Sequence, residues 1–136
     1  MSMDGPMNFW DAVAAIRRVD GRYAEDAYAF VMDGLEFTIR AIGEKRHVSA
    51  AELLEGLCRC AKDRFGLMAW TVLESWGVCE TGDVGAIVFQ LIDAGVLSKT
   101  EQDERSDFDD RFDLRVVLED QYFGIGTPSK DARGSA

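Results

Sequence analysis

Residues 81–97, Thr-Gly-Asp-Val-Gly-Ala-Ile-Val-Phe-Gln-Leu-Ile-Asp-Ala-Gly-Val-Leu, carry a complete helix signal without a single Lys or Arg. Thr81 suits the N-cap, and Asp83 falls in the first turn, where the helix dipole favours an acid. Val84, Ile87, Val88, Leu91 and Ile92 recur with a 3.6-residue period. Gly95 then fits the left-handed position just past the helix and Val96 the apolar position after it, a Schellman stop. A polar stretch crowded with acids follows. Helix, glycine exit and polar hairpin is the order of elements in a winged-helix domain, where the helix before the hairpin normally enters the DNA major groove. A helix that holds Asp83 and Asp93 and no cation is poorly suited to that task, because duplex binding rests on neutralising phosphates. The expectation is a mainly α domain with a small β-hairpin after residue 95, winged-helix-like but without a basic groove-reading surface.

The rest of the chain reads as helices separated by glycine. Asn8 caps a first helix that carries Phe9, Val13 and Ile16 and ends at Asp20-Gly21. A second runs from about Tyr23 to Ile42 and stops at Gly43, with Tyr23, Ala27, Phe30, Val31, Leu35, Thr38 and Ile42 on its apolar stripe and Tyr28 and Phe37 off it. Ser49-Ala-Ala-Glu52 is a capping box flanked by Val48 and Leu53 at the staple positions. The helix it opens buries Leu53, Leu54, Leu57, Cys58, Ala61 and Phe65 and closes at Gly66. A fourth helix covers about Leu67 to Trp76. Residues 108–114 are ambiguous between a strand and irregular chain, and a last helix spans Leu114 to Tyr122. The domain is thus expected over residues 8–123, with a flexible N-terminus (1–7) and a flexible tail (124–136).

Composition sets outer limits. A chain of 136 residues supports one good core, and 47% hydrophobic content is incompatible with disorder of its body. The net charge of −10 is uneven: residues 1–66 carry 9 bases against 11 acids, residues 67–136 carry 6 against 14. The second half therefore repels nucleic acid and anionic membrane and favours a basic protein partner. No apolar run approaches the roughly 18–20 residues that span a bilayer, and Met1 to Met7 lacks the pattern of a secretory signal. Three cysteines, an odd number, do not suggest a disulfide framework, so a reduced cytoplasmic protein is the default expectation.

Candidate sites are few. Cys58, Cys60, Cys79 and His47 invite a metal, but residues two apart on a helix point about 200° apart, so Cys58 and Cys60 cannot share an ion. Glu101, Asp103, Glu104, Asp107, Asp109, Asp110 and Asp113 form an acidic run. Neither frame of an EF-hand loop fits it: counting from Asp103 puts Arg105 at a ligand position, and counting from Asp107 puts Arg111 at one. The run is either a solvated face or a docking surface for a basic partner. His47 could act as a general base, yet no nucleophile motif accompanies it, and Gly82-Asp-Val-Gly85 is too short for a phosphate loop. Lys45-Arg46-His47 is a weak basic patch. Trp10, Trp70 and Trp76 are expected in the core or at a subunit interface, the latter compatible with a homodimer. No cofactor or metal is implied.

Three segments also carry a likeness. Phe65-Gly-Leu-Met-Ala-Trp-Thr-Val-Leu-Glu-Ser-Trp-Gly77, Thr81-Gly-Asp-Val-Gly-Ala-Ile-Val-Phe89, and Gly95-Val-Leu-Ser-Lys-Thr100 with Asp107-Phe-Asp-Asp-Arg-Phe-Asp113 together resemble a family of small uncharacterised proteins of planctomycetes and verrucomicrobia. The resemblance spans about Phe9 to Tyr122. It implies a single domain in a bacterial cytoplasm, and it brings no activity or functional residue. The expected function is a non-catalytic protein-interaction or adaptor domain docking its partner on residues 101–113. A winged-helix-type DNA-binding regulator is the alternative, and a small enzyme using His47 the second alternative.

Overall fold

Backbone groups at helix ends need partners, and the chain supplies them at nearly every boundary. The computed structural model describes residues 1–3, 8–43 and 47–120. Its elements are β1 (Ser2–Met3), α1 (Phe9–Val19), α2 (Glu25–Ile42), α3 (Ala50–Phe65), α4 (Ala69–Ser75), α5 (Thr81–Asp93), β2 (Leu97–Ser98) and α6 (Leu114–Asp120), so the fold is mainly α. The Asn8 side chain accepts the Asp11 N–H, and Ser49 and Glu52 close a reciprocal capping box. Gly43 ends α2 at φ 87° and Gly95 follows α5 at φ 82°, backbone that other residues adopt only at a cost. The Val96 N–H reaches back to the Leu91 carbonyl at 2.9 Å, the bond that defines a Schellman stop.

Packing centres on α5. Thr81, Val84, Gly85, Ala86, Ile87, Val88 and Leu91 are all buried, and only Asp93 among residues 81–93 is exposed. α1, α2, α3, β2 and a 3₁₀ turn at Arg105–Phe108 pack around it. The apolar stripe read from the sequence is therefore narrower than the buried surface. Beside α5, α2 and α3 cross closely because Gly34 faces Leu57 and Gly56 faces Thr38, with no room for a β-carbon at either glycine. Phe30, Phe65 and Trp76 fill one end of this layer, with ring centroids 5.7–5.9 Å apart. Tyr28, off the predicted stripe of α2, is fully buried. Its hydroxyl donates to Gln90 Oε1 at 2.6 Å, so the ring packs inward without orphaning a polar atom.

Three expectations change. The strand after residue 95 exists, but its partner is the N-terminal strand. Ser2 pairs with Ser98 and Met3 with Leu97, antiparallel, and among the described residues no second hairpin strand follows. The acidic stretch has no alternating apolar residues to lay on a core, so it forms turns and a 3₁₀ segment instead. Second, the expectation of a flexible N-terminus does not hold for Met1–Met3. Met1 is 1% exposed, its carbonyl accepts the Val48 N–H at 2.9 Å, and its ammonium contacts the Val48 carbonyl and Asp103. Residues 4–7, 44–46 and 121–136 lie outside the described residues, and with them the end expected for the last helix at Tyr122 and the tail expected at 124–136. Third, Trp10 is 52% exposed on α1, which excludes the core and leaves the subunit interface of the two places expected for it. Among the described residues, no helix is long and apolar enough to cross a membrane.

Candidate docking surface

Residues 99–113 run across the N-terminal end of α5 with one buried side chain, Phe108. Its ring lies where a side chain on Gly85 would have to be: an added β-carbon there would stand 2.8 Å from Phe108 Cβ and 3.1 Å from Cδ1. Thr81, 1% exposed, secures the same point. Its hydroxyl donates to the Phe108 carbonyl at 2.6 Å and accepts the Arg111 N–H at 3.2 Å. The sequence places Thr81 as the cap of α5, but the cap is Glu80, whose backbone N–H donates to the Asp83 side chain at 3.1 Å within a reciprocal capping box. An acid-x-x-acid capping box at Glu80–Asp83 was the available signal, and it frees the Thr81 hydroxyl for this longer-range bond.

Asp83 ties α5 to Tyr23, in the turn that leads into α2, as well. One of its oxygens accepts the Tyr23 hydroxyl at 2.6 Å, and the other accepts the Cys79 and Glu80 N–H groups at 2.9 and 3.1 Å. Burial, and then this bond to a carboxylate, hold the Tyr23 hydroxyl well above its ordinary pKa. Burial likewise pushes Tyr28 up to about 12. Both tyrosines are therefore neutral donors across the physiological range and serve as struts.

The seven acids predicted as a docking run divide into two groups. Asp103 accepts the Met1 ammonium at 2.7 Å and the Thr100 N–H at 2.9 Å. Burial raises its pKa, but the hydrogen bonds from Met1 and Thr100 outweigh that effect and leave the carboxyl below the ordinary range. Glu104 and Asp107 form a reciprocal capping box on the 3₁₀ turn, and Asp113 accepts the Val116 N–H at 3.2 Å at the start of α6. Those four carboxylates hold their own backbone. Glu101, Asp109 and Asp110 are exposed and make no side-chain hydrogen bond or ion pair among the described residues. Asp110 also sits at φ 48°, which Asp tolerates better than most residues. Arg105 and Arg111, which could have neutralised the run, form no ion pair among the described residues.

Other candidates do not assemble. Among the described residues, no three His, Cys, Asp or Glu side chains gather in a way that could hold a metal. Cys58 and Cys60 are buried in α3 and Cys79 is exposed elsewhere, with burial pushing the Cys58 thiol up to about 12. His47 is exposed. Neither a core void of about 10 Å³ nor an open cleft of about 190 Å³ between α2 and α3 is lined by His47 or by the acidic segment. Lys45 and Arg46 fall outside the described residues. Comparison with protein-family models, curated proteins and solved structures finds no match for this chain. No residue role therefore reaches it from a relative.

Proposed function

We propose that the chain is a non-catalytic protein-interaction domain that docks a basic protein partner on the acidic segment, through Glu101, Asp109 and Asp110. The observation that carries this reading is the division of the seven acids. Four are occupied by the segment's own backbone, while three stand exposed with their charge uncompensated by contact. Neighbouring uncompensated carboxylates repel one another, and a cationic partner relieves that repulsion. The burial of most of α5 disfavours the regulator reading, since the helix that would enter a DNA groove offers only Asp93 fully exposed and no cation.

The test is capture of partners from the source organism's lysate with wild-type chain and with a variant carrying Glu101→Lys, Asp109→Lys and Asp110→Asn. Wild type retains a basic protein in a salt-sensitive complex, as exposed charges are screened beyond about 10 Å at 0.1 M salt. The variant loses it while its melting curve is unchanged. Capture that survives in the folded variant leaves the run a solvated face. A gel shift with duplex DNA at about 50 mM salt shows no steeply salt-dependent complex; such a complex would instead support the regulator reading.

A further inference from the structure

The 3₁₀ turn of segment 99–113 lies close along α5 and α3, but few of the segment's side chains are buried and few of its hydrogen bonds reach other elements. Phe108 is its only buried side chain, with Thr100, Asp103 and Phe112 half-buried and the other side chains exposed. Its long-range polar anchors are the Thr81 hydroxyl, bonded to both the Phe108 carbonyl and the Arg111 N–H, and the Asp103–Met1 contact. The remaining hydrogen bonds are local: Asp103 N–H to Thr100, Asp107 N–H to Glu104, Asp109 N–H to Ser106. By contrast, the helices it covers share an apolar core that runs from α1 to α6. Regions with few buried apolar contacts open locally at a free energy below that of global unfolding.

We infer that residues 99–113 form a flap that opens as one unit, with the Phe108 ring as its plug and the side-chain-free notch at Gly85 of α5 as its socket. Opening withdraws Phe108 from α5 and breaks both Thr81 bonds together, because the two bonds flank the same turn. The event uncovers Gly85 and Thr81 and leaves the Schellman stop of α5 and the strand pair β1–β2 in place, since those lie before Lys99. The flap thus gives the molecule a second surface, apolar and notched, that the closed state hides. The inference does not depend on the docking reading: it would stand if the exposed acids bound nothing.

Native-state hydrogen exchange, followed residue by residue with small additions of denaturant, tests it. The amides of Asp103, Asp107, Asp109 and Arg111 exchange through a common opening, faster than the Leu91 amide in α5 and with weaker denaturant dependence. Thr81→Val keeps the side-chain shape and deletes both hydroxyl bonds. It accelerates that group on the order of tenfold and speeds Leu91 by no more than the same factor, because the lost bonds are broken in opening and in global unfolding alike, while the group keeps its weaker denaturant dependence. Phe108→Ala accelerates the group further in a chain that still folds. The inference is overturned if the four wild-type amides exchange only by global unfolding with Leu91, or if Thr81→Val leaves the four amides unaccelerated. A Phe108→Ala chain that fails to fold overturns it too, because a separable flap is dispensable to the helices.

Discussion

α5 and the segment 99–113 are neighbours in sequence and in space, and they are built on opposite terms. Of the thirteen residues of α5 seven are buried and only Asp93 is exposed, and its two glycines sit where other elements press close. The segment after it is packed with acids and commits one ring to the core. The contrast explains the missing cations of residues 81–97 without reference to DNA. A central helix excludes Lys and Arg because burying an unpaired charge is costly. The acids accumulate next door because short turns need carboxylates to cap their N–H groups. Charge in the second half of this chain is thus divided by burial before function enters.

The sharpest way to break the comparison is to cut into α5. Leu91 is 0% exposed, and Leu91→Ala should lower stability by about 2–5 kcal/mol in chemical denaturation. A change within about 0.5 kcal/mol, typical of surface sites, would mean that α5 is not the central helix. Phe108 is also 0% exposed and larger, yet its truncation should cost the global transition less, because the loss is capped once the flap is open. Equal or greater cost for Phe108→Ala would erase the distinction between the two regions. Gly56→Ala probes the layer beside them. Its new methyl meets the Thr38 hydroxyl, itself bonded to the Gly34 carbonyl at 2.7 Å, so overpacking should cost about 1–3 kcal/mol despite the better helix propensity of Ala.

How much of this was legible follows the same division. Helix boundaries were readable wherever one residue type does one job: Asn8, Ser49 with Glu52, Gly43, Gly95. They reflect local geometry, which the sequence states directly. The breadth of burial of α5 was not readable from its stripe. Ala86, Gly85 and Thr81 are small enough to sit on any face, and only the arrival of other elements buries them. The strand at Leu97 was visible as an apolar exit, but its partner lies at the other end of the chain, and pairing of two-residue strands leaves no periodic trace. In the candidate site, the acids were visible as a run. Their separation into caps and exposed carboxylates depends on which backbone N–H groups lack partners, and that is a property of the folded turns.

Asp103 offers a test that separates the regions by pH. Its folded pKa lies below the unfolded value of about 3.9, so its contribution is present above that pH and is lost as pH falls through the folded pKa. α5 contains only Asp83 and Asp93 as titratable groups. Asp103→Asn should therefore lower stability by about 1 kcal/mol at neutral pH and flatten the acid limb of a plot of denaturation midpoint against pH below about 4. Superimposable acid limbs for wild type and variant would show that the contact with Met1 and Thr100 does not hold the carboxyl in its charged form.

The smallest expected effect is also the one that isolates the exposed acids. Glu101 and Asp109 bond to nothing among the described residues, and Asp110 needs only to tolerate a left-handed backbone, which Asn does as readily. Glu101→Lys with Asp109→Lys and Asp110→Asn should therefore shift stability by no more than about 0.5 kcal/mol. Adding Asp107→Lys is a different experiment. It removes the acceptor for the Glu104 N–H, and loss of such a cap costs about 1 kcal/mol. A denaturation series that finds the first variant neutral and the second destabilised assigns Asp107 to the turn and the other three to the surface. If the first variant is instead destabilised as much as the second, the exposed acids also hold the segment closed. A loss of partner capture in that variant would then reflect an opened flap and not a missing charge.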